Sequence, residues 1–305
     1  MLNECLWLLG RIFLVERRRT MQKYVIVAES GSDIPRELAE KHNIYIVPMH
    51  VTFGDVTKKD GHFPPAEVCM YYERTGMVPL TSGCNPGDFT EVFEQIDKEH
   101  PDCHILYLAY SAVTTCAYRS AEIAAEGRKN ISFINTKLLT VGQCAAVIRF
   151  AEALEAHPEW RLEEIVEQAE RISASVQMSC LISNIDYMRA GGRVTNSAAL
   201  IGNIFNIHPE IILDADGYIK AGKKYRGKMN KVVFKLMDDY FNERHLDRKL
   251  LWLGCTHGFS DKLKEEAVQY AYANGFEEVR WINAGGVITT HGGSNAFCIS
   301  GYSKD

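Results

Sequence analysis

The sequence predicts an α/β protein of two domains, with a doubly wound, mostly parallel N-terminal sheet and a mixed or antiparallel sheet in the C-terminal domain. Its 305 residues exceed the length of one typical domain. From Met21 onward, short β-branched runs alternate with longer helical patterns, which is typical of parallel strands joined by crossover helices. After residue 159 the alternation becomes irregular, so we expect domains at 21–159 and 160–305.

The helices of the N-terminal domain are marked by proline near their starts. Pro35 and Pro86 stand where helices are expected to begin, and proline is favoured there because the first N–H groups of a helix have no partner within it. The stretch after residue 51 is predicted to be irregular. The predicted strands are 24–28, 44–51, 104–110 and 131–135, and the predicted helices are 34–42, 63–76, 86–100, 114–127 and 139–156.

The C-terminal domain has strands that do not alternate regularly with helices. Asp-Ala-Asp-Gly at 214–217 has the composition of a hairpin turn, which joins antiparallel neighbours. The predicted strands are 176–183, 211–213, 218–220, 250–256, 279–283 and 297–301, and the predicted helices are 161–173, 228–245 and 260–274.

Composition excludes several classes of protein. With 46% hydrophobic and 24% charged residues, the chain has the balance of an ordinary globular protein. A net charge of −5 disfavours nucleic acid as a partner, because no basic field is available to hold its phosphates. The nine cysteines show neither a CxxC pair nor a metal-ligand spacing, so we expect reduced thiols in a cytoplasmic protein without a metal site.

Residues 1–20 are predicted to be an extension outside the fold. The apolar run at 6–14 is interrupted by Arg11 and followed by three arginines, whereas a secretory signal carries its positive charge first. Nine residues are also too few to span a bilayer. We therefore expect neither export nor stable membrane insertion.

Hydroxyl side chains follow three strands of the N-terminal domain. Ligands of open parallel sheets bind beyond the carboxyl ends of the strands, and helix N-termini there favour anions. We therefore expect a site for a carboxylate or phosphate. The alternative is that these hydroxyls only cap helices, which is plausible for Ser32, Ser82 and Thr114. The hydroxyl residues concerned are Ser30, Ser32, Thr81, Ser82, Ser111, Thr114 and Thr115.

Two histidines and two arginines are further candidates. His257 and His291 stand near the predicted ends of strands beside glycine, where a ligand can approach closely. Arg193 follows two glycines and is either a surface residue at a helix end or an anion-binding side chain, and Arg226 is a weaker case of the same kind. The sequence contains no phosphate-loop, dinucleotide-binding, zinc-protease or α/β-hydrolase motif.

Together these motifs make the chain from Met21 to its C-terminus resemble the DegV family, lipid-binding proteins that include the FakB subunit of bacterial fatty acid kinase. The resemblance implies a two-domain α/β protein that buries one long-chain fatty acid and presents its carboxylate to a partner kinase for phosphorylation. It rests on SGSDIPRELAEKHNIYIVPMHVTFGD from Ser30, TSGCNPGDF from Thr81, the turn and helix at 111–121, IDYMRAGGRV ending at Val194, YRGK at Tyr225 and VITTH ending at His291.

The resemblance also implies which residues hold the head group. Those matched to the family's carboxylate ligands are Thr81, Ser111, Thr115 and His291. Those matched to head-group or partner contacts are Ser30, Ser32, Ser82, Arg193 and Arg226. The chain is then a carrier with the fatty acid as its ligand, and it has no catalytic residues, metal or cofactor of its own.

The sequence departs from the family pattern around the head group. SSxLSGTY is replaced by SAVTTCAY at 111–118, the GPG after the histidine by Gly-Ser-Asn at 293–295, and the proline of the TS loop by Cys84. Bulkier residues at this turn would narrow the site or shift the carboxylate. Two alternatives stay open: an esterase or thioesterase that uses Ser111 or Cys116 with His291, and a degenerate regulatory module that binds no lipid.

Overall fold

A computed structural model describes residues 23–194 and 206–304, so the predicted extension at 1–20 lies outside the described residues. None of the described helices is long and apolar enough to cross a membrane. The described strands are β1 (Tyr24–Glu29), β2 (Ile44–Val47), β3 (His50–Phe53), β4 (Val56–Lys59), β5 (Leu80–Ser82), β6 (His104–Ala109), β7 (Ile131–Asn135), β8 (Val176–Leu181), β9 (Ile207–Leu213), β10 (Ile219–Arg226), β11 (Leu246–Cys255), β12 (Glu278–Asn283) and β13 (Phe297–Ser303). The described α-helices are α1 (Arg36–Lys41), α2 (Ala66–Thr75), α3 (Pro86–Glu99), α4 (Ala117–Ala124), α5 (Thr140–Ala156), α6 (Leu162–Ser175), α7 (Ile185–Gly191), α8 (Met229–Glu243), α9 (Asp261–Ala273) and α10 (Gly286–Gly292).

The first domain is built on a parallel sheet with the strand order β2-β1-β6-β7. Its two central strands, β1 and β6, are apolar and almost fully buried, which is typical of parallel strands covered by helices on both faces. The strands predicted at 24–28, 104–110 and 131–135 are confirmed to within one residue. The predicted parallel architecture of this domain is therefore confirmed.

Helix α3 illustrates how the predicted proline signals work. The Asn85 side chain accepts hydrogen bonds from the backbone N–H groups of Gly87 and Asp88, and the Asp88 carboxylate accepts one from Asn85 N at 2.8 Å. This reciprocal cap satisfies donors that have no partner within the helix. Pro86 then occupies the first turn, where its lack of an N–H costs no hydrogen bond within the helix.

The strand predicted at 44–51 is wrong in one respect, because it consists of two strands separated by Pro48 and Met49. Strand β2 stays in the parallel sheet, whereas β3 joins a three-stranded antiparallel sheet of order β4-β3-β5. Proline has no N–H to donate to a ladder, so the first strand cannot continue through it. This small sheet includes part of the stretch predicted to be irregular, and Thr81 lies on its strand β5.

The second large sheet has the order β10-β9-β8-β13-β11-β12, and only the pair β11 and β12 is parallel. The predicted mixed sheet is therefore confirmed. The hairpin turn expected at 214–217 joins β9 to β10, with a hydrogen bond of 3.0 Å from Gly217 N to Asp214 O. Gly217 adopts φ +90°, which glycine accepts without a steric penalty.

Helix α5 lies between the two large sheets. On one side Gln143 donates to the carbonyl of Leu108 in β6 at 3.0 Å. On the other side the Tyr302 hydroxyl of β13 donates to the carbonyl of Ala145 at 2.8 Å. Most of the helix is buried, as expected of a helix that is apolar all round. The predicted domain boundary near residue 159 falls between α5 and α6.

The expectation that all cysteines are reduced is wrong for one pair. Cys180 of β8 lies directly opposite Cys298 of β13, and the two form a disulfide. Which side chains face each other across a sheet depends on strand register, which the spacing of cysteines along the sequence does not reveal. The other described cysteines are free: Cys69, Cys84, Cys103, Cys116, Cys144 and Cys255.

Reduction of this disulfide is expected to destabilise the protein, because the bridge joins residues 118 positions apart and restricts the unfolded chain. The expected loss is about 2–4 kcal/mol in the free energy of unfolding, measured by urea denaturation with and without dithiothreitol. A double variant with Cys180→Ala and Cys298→Ala should not respond to the reductant. Alkylation of both thiols in the untreated protein would contradict the pairing.

Candidate functional site

Residues from both domains line one internal cavity. The cavity has a volume of about 90 Å³, measured as the space open to the centre of a water-sized sphere. One such sphere needs about 10–15 Å³, so the cavity has room for about six to nine of them. The wall is mainly apolar and the few polar groups are grouped, as in sites for small molecules. Representative wall residues are Met49, Leu139, Met178, Ile211, Ile219 and Ile288.

The polar part of the cavity centres on Thr81 and His291. The hydroxyl of Thr81 and the ring Nε2 of His291 are 2.9 Å apart and hydrogen-bonded. Ser82, Thr115 and Arg193 line the same cavity. The structure thus brings together five of the nine residues predicted for the head-group site or its surroundings, although Thr81 and His291 are 210 positions apart in the chain.

His291 lies on a helix and not at the end of a strand as expected. Strand β12 ends at Asn283, and the imidazole belongs to the last turn of α10. Burial, together with the positive charge of Arg193, lowers the pKa of His291 to about 4. The ring is therefore neutral at pH 7, so one of its nitrogens carries a proton and donates while the other accepts.

Close packing against His291 explains why residue 191, the first of the two residues before Arg193, is glycine. A methyl group at this position would overlap Nδ1 of His291, so only glycine lets α7 pack against the ring. Gly192 ends α7 with φ +63°, a left-handed conformation that favours glycine. The exposed Arg193 donates hydrogen bonds to the carbonyl of Gly191 at 2.6 Å and to that of Thr114 at 3.3 Å. It therefore stands both at a helix end and beside the cavity.

A second glycine brings the TS loop next to the turn after β6. A methyl group at Gly83 would overlap the hydroxyl oxygen of Thr115. That oxygen also accepts a hydrogen bond from Ala117 N at 3.3 Å. The hydroxyl of Thr115 is consequently held at the cavity beside Thr81, while the neighbouring Cys116 is exposed at the start of α4.

Ser111 is buried but does not line the cavity. Its hydroxyl donates a hydrogen bond of 2.8 Å to the carbonyl of Gly217, in the hairpin between β9 and β10. Lys137 donates to the neighbouring carbonyl of Ala215 at 3.1 Å. The hairpin of the second domain therefore occupies the Ser111 hydroxyl.

Thr114 also lines the cavity, whereas the remaining predicted residues lie away from it. Ser30 donates to the Asp60 carboxylate at 2.8 Å, and Ser32 donates to a backbone carbonyl three residues earlier at 2.7 Å. Arg226 and His257 are exposed, and neither lines the cavity.

The alternative that Ser32, Ser82 and Thr114 cap α-helices is wrong. None of these residues occupies the N-cap position of the helix that follows it. The N-cap residues of α1, α3 and α4 are Pro35, Asn85 and Cys116.

The sequence reasoning missed a group of buried carboxylates near the cavity. Asp33 accepts hydrogen bonds from Gly285 N at 2.7 Å and from the Thr140 hydroxyl at 2.5 Å. Burial and, to a smaller extent, the nearby charge of Asp60 raise the pKa of Asp33 to about 8, although these two hydrogen bonds act in the opposite direction. The SGSDIP motif contains Asp33 and could have indicated this group, but only its hydroxyl residues were considered as ligands. The apolar wall was missed because it is assembled from distant segments.

Comparison with known proteins settles the family. A family model described as "Uncharacterised protein, DegV family" matches residues 23–304. This chain belongs to the DegV family. A DegV domain-containing protein of Caldanaerobacter subterraneus is 28% identical over 281 residues, covering 90% of this chain and 97% of that protein. Another, from Clostridium acetobutylicum, is 24% identical over 280 residues, covering 89% of this chain and 95% of that protein.

Solved DegV structures share the fold. A DegV family protein from Thermus thermophilus, described as fatty acid binding, superposes with a TM-score of 0.79 at 24% identity, covering 93% of this chain and all of that one. A protein from Eubacterium ventriosum, described as binding stearic acid, has a TM-score of 0.79 at 22% identity, covering 92% of this chain and 98% of that one. The two-domain α/β architecture predicted from the sequence is thus confirmed.

The variant Gly191→Ala is expected to displace the imidazole of His291 and weaken its hydrogen bond to Thr81, because the added methyl overlaps Nδ1. Long-range ¹H–¹⁵N spectra of the histidine rings should show altered Nε2 and Nδ1 signals for His291. Gly275→Ala is the control, since that glycine also resists substitution through its φ of +86° but has no atom near the added methyl. Unchanged His291 signals in Gly191→Ala would contradict the packing.

The raised pKa of Asp33 predicts a pH-dependent stability. The folded protein keeps this proton up to about pH 8, whereas the unfolded chain releases it near 3.8, so the free energy of unfolding should fall as pH rises between these values. One group contributes at most about 1.4 kcal/mol per pH unit. Asp33→Asn cannot titrate and should show a shallower slope in urea denaturation between pH 5 and 8. Equal slopes for the two proteins would show that Asp33 titrates normally.

Proposed function

We propose that this protein binds a long-chain fatty acid, with the acyl chain in the apolar cavity and the carboxylate at Thr81 and His291. The observation that carries the proposal is the position of a half-buried, hydrogen-bonded threonine–histidine pair in the wall of a mainly apolar cavity. The fatty acids bound by the Thermus thermophilus and Eubacterium ventriosum neighbours support it.

The energetics of burial favour an amphipathic ligand of this kind. Each methylene removed from water contributes about 0.8 kcal/mol, so a long chain gains most from an apolar wall. A carboxylate buried without hydrogen bonds would oppose binding strongly. A ligand with one long apolar chain and one small acidic head therefore fits better than a neutral hydrocarbon or a wholly polar metabolite.

The neutral ring of His291 suits a carboxylate ligand. If Nε2–H donates to the Thr81 oxygen, the Thr81 hydroxyl proton is available to the carboxylate. The Thr115 hydroxyl and the Arg193 guanidinium line the same cavity and add a second donor and a positive charge. Ser111 contributes only by exchanging its bond to the Gly217 carbonyl for one to the ligand.

We further propose a role as a cytoplasmic carrier, as the resemblance to the FakB subunit of fatty acid kinase implies. The bound carboxylate is presented at the mouth of the cavity to a partner kinase, which forms the acyl phosphate, and this chain catalyses no reaction itself. Ser82, Arg193 and Arg226 are exposed, so they are available to the partner. Of these, Ser82 and Arg193 also line the cavity and can contact the head group.

The esterase alternative is less well supported. A nucleophile must lie within hydrogen-bond reach of its general base. The Ser111 hydroxyl donates to Gly217 instead, and the Nε2 of His291 is bonded to Thr81. The hydrogen bonds of the described residues do not pair Cys116 with His291 either. The geometry therefore favours a binding protein.

Mass spectrometry of the denatured, purified protein is expected to release close to one fatty acid per chain. Thr81→Val, which keeps the shape and removes the hydroxyl, should weaken palmitate binding by about 10- to 100-fold, because a hydrogen bond to a charged group is worth about 1.5–3 kcal/mol. Thr57→Val is the matched control, since Thr57 lies on β4 at the other edge of the same small sheet and is exposed.

Each competing function predicts a different result. A protein that carries no lipid and binds neither palmitate nor oleate would contradict fatty acid binding, and failure to yield acyl phosphate with a fatty acid kinase would then favour a regulatory module. Hydrolysis of acyl esters without a partner would favour the esterase. Normal palmitate binding by Thr81→Val would place the carboxylate elsewhere.

A further inference from the structure

We propose that Asp33 and Asp60 are positioning residues, which hold the helix of His291 so that its imidazole meets Thr81. The inference concerns the ligand-free protein, and it rests on the proposed function only where head-group affinity is measured. It follows from hydrogen bonds at the end of α10 opposite to His291.

Asp60 fixes the first turn of α10. Its Oδ1 accepts hydrogen bonds from Gly286 N at 2.7 Å and from Val287 N at 3.3 Å. Its Oδ2 accepts one from the Ser30 hydroxyl at 2.8 Å, and the Ser30 oxygen accepts in turn from Met49 N at 3.0 Å. Because α10 has only seven residues, a shift of its first turn moves the imidazole in its last turn.

Asp33 ties the same helix start to a second wall of the cavity. One carboxylate oxygen accepts from Gly285 N, directly before α10, and the other accepts from the Thr140 hydroxyl at the start of α5. Thr140 itself lines the cavity. The two carboxylates therefore join α10 to the parallel-sheet domain on one side and to the small sheet on the other.

Two glycines make this close approach feasible. A methyl group at Gly285 would lie 3.2 Å from an oxygen of Asp60, and one at Gly286 would overlap the ring of Phe63. The first turn of α10 can therefore approach both carboxylates only without side chains at these positions. Asp60 is 3% exposed, so its bonds are shielded from competing water.

The small sheet sets the distance between the two ends of α10. His50 of β3 pairs with Lys59 on one side and with Ser82 on the other. Asp60 N donates to the carbonyl of Met49 at 2.7 Å, and Thr81 pairs with Val51. The two residues are therefore held on opposite sides of the same central segment, two positions apart along it. One three-stranded ladder thus binds the first turn of α10 through Asp60 and the last turn through Thr81.

The test compares two substitutions of Asp60 with a control. Asp60→Ala should change the ring ¹⁵N signals of His291 in the ligand-free protein. It should also lower the ratio of the affinity for hexadecanoic acid to that for 1-hexadecanol by about tenfold, because one positioned hydrogen bond to the charged head group is lost. Asp60→Asn keeps an acceptor for the N–H groups of α10 and should restore both readouts. Ser260→Ala removes the side-chain cap of α9, none of whose residues lines the cavity, and should lower stability while leaving both readouts unchanged.

The outcomes separate this inference from fatty acid binding itself. Wild-type protein that binds neither ligand defeats the proposed function, while the His291 spectra still test the positioning. Normal spectra and a normal affinity ratio in Asp60→Ala, or equal changes in Ser260→Ala, would overturn the positioning role. If Asp60→Ala does not fold, Ser30→Ala removes the donor to Asp60 Oδ2, together with the acceptor of Met49 N, and should lower the ratio by about threefold; an unchanged ratio would count against the inference.

Discussion

The hydrogen bond between Thr81 and His291 is the contact on which the site depends. It joins a short strand of the small sheet to the last turn of a helix that follows strand β12. Neither residue is near the other in sequence, so the pair exists only when the two domains enclose the cavity between them. Gly191 and Gly83 allow the flanking segments to approach the pair closely. The polar end of the cavity is therefore a product of docking between domains.

The electrostatics of the site follow from its burial. An ionised histidine would be costly in an apolar cavity, and burial accordingly keeps His291 neutral at pH 7. The buried aspartates near the cavity accept hydrogen bonds from backbone N–H groups, with Asp33 and Asp60 at the start of α10. The positive charge at the cavity is carried by Arg193, which is exposed at its edge. The cavity thus offers neutral donors in its wall and a cation at its edge, which is the arrangement that the proposed acidic ligand requires.

Much of the architecture follows from local sequence patterns, and most of the site does not. The parallel strands and the helix starts marked by proline can be predicted from the sequence because each depends on a few adjacent residues. The small sheet was missed because Pro48 divides one apolar run into strands of two different sheets. The helix of His291 was not predicted because Gly-Gly at 285–286 is typical of a loop. In the structure these two glycines let the start of the helix approach Asp33 and Asp60 closely. Ser111 matched the family by position, but the hairpin at 214–217 occupies its hydroxyl, and only the fold reveals that contact.

The location of the ligand tests the central claim most directly. A crystal structure of the protein purified with its bound lipid should show continuous acyl density along Met178 and Ile211, with the carboxylate within hydrogen-bond distance of the Thr81 hydroxyl. A cavity filled only with ordered water, or an acyl chain bound elsewhere on the protein, would contradict it.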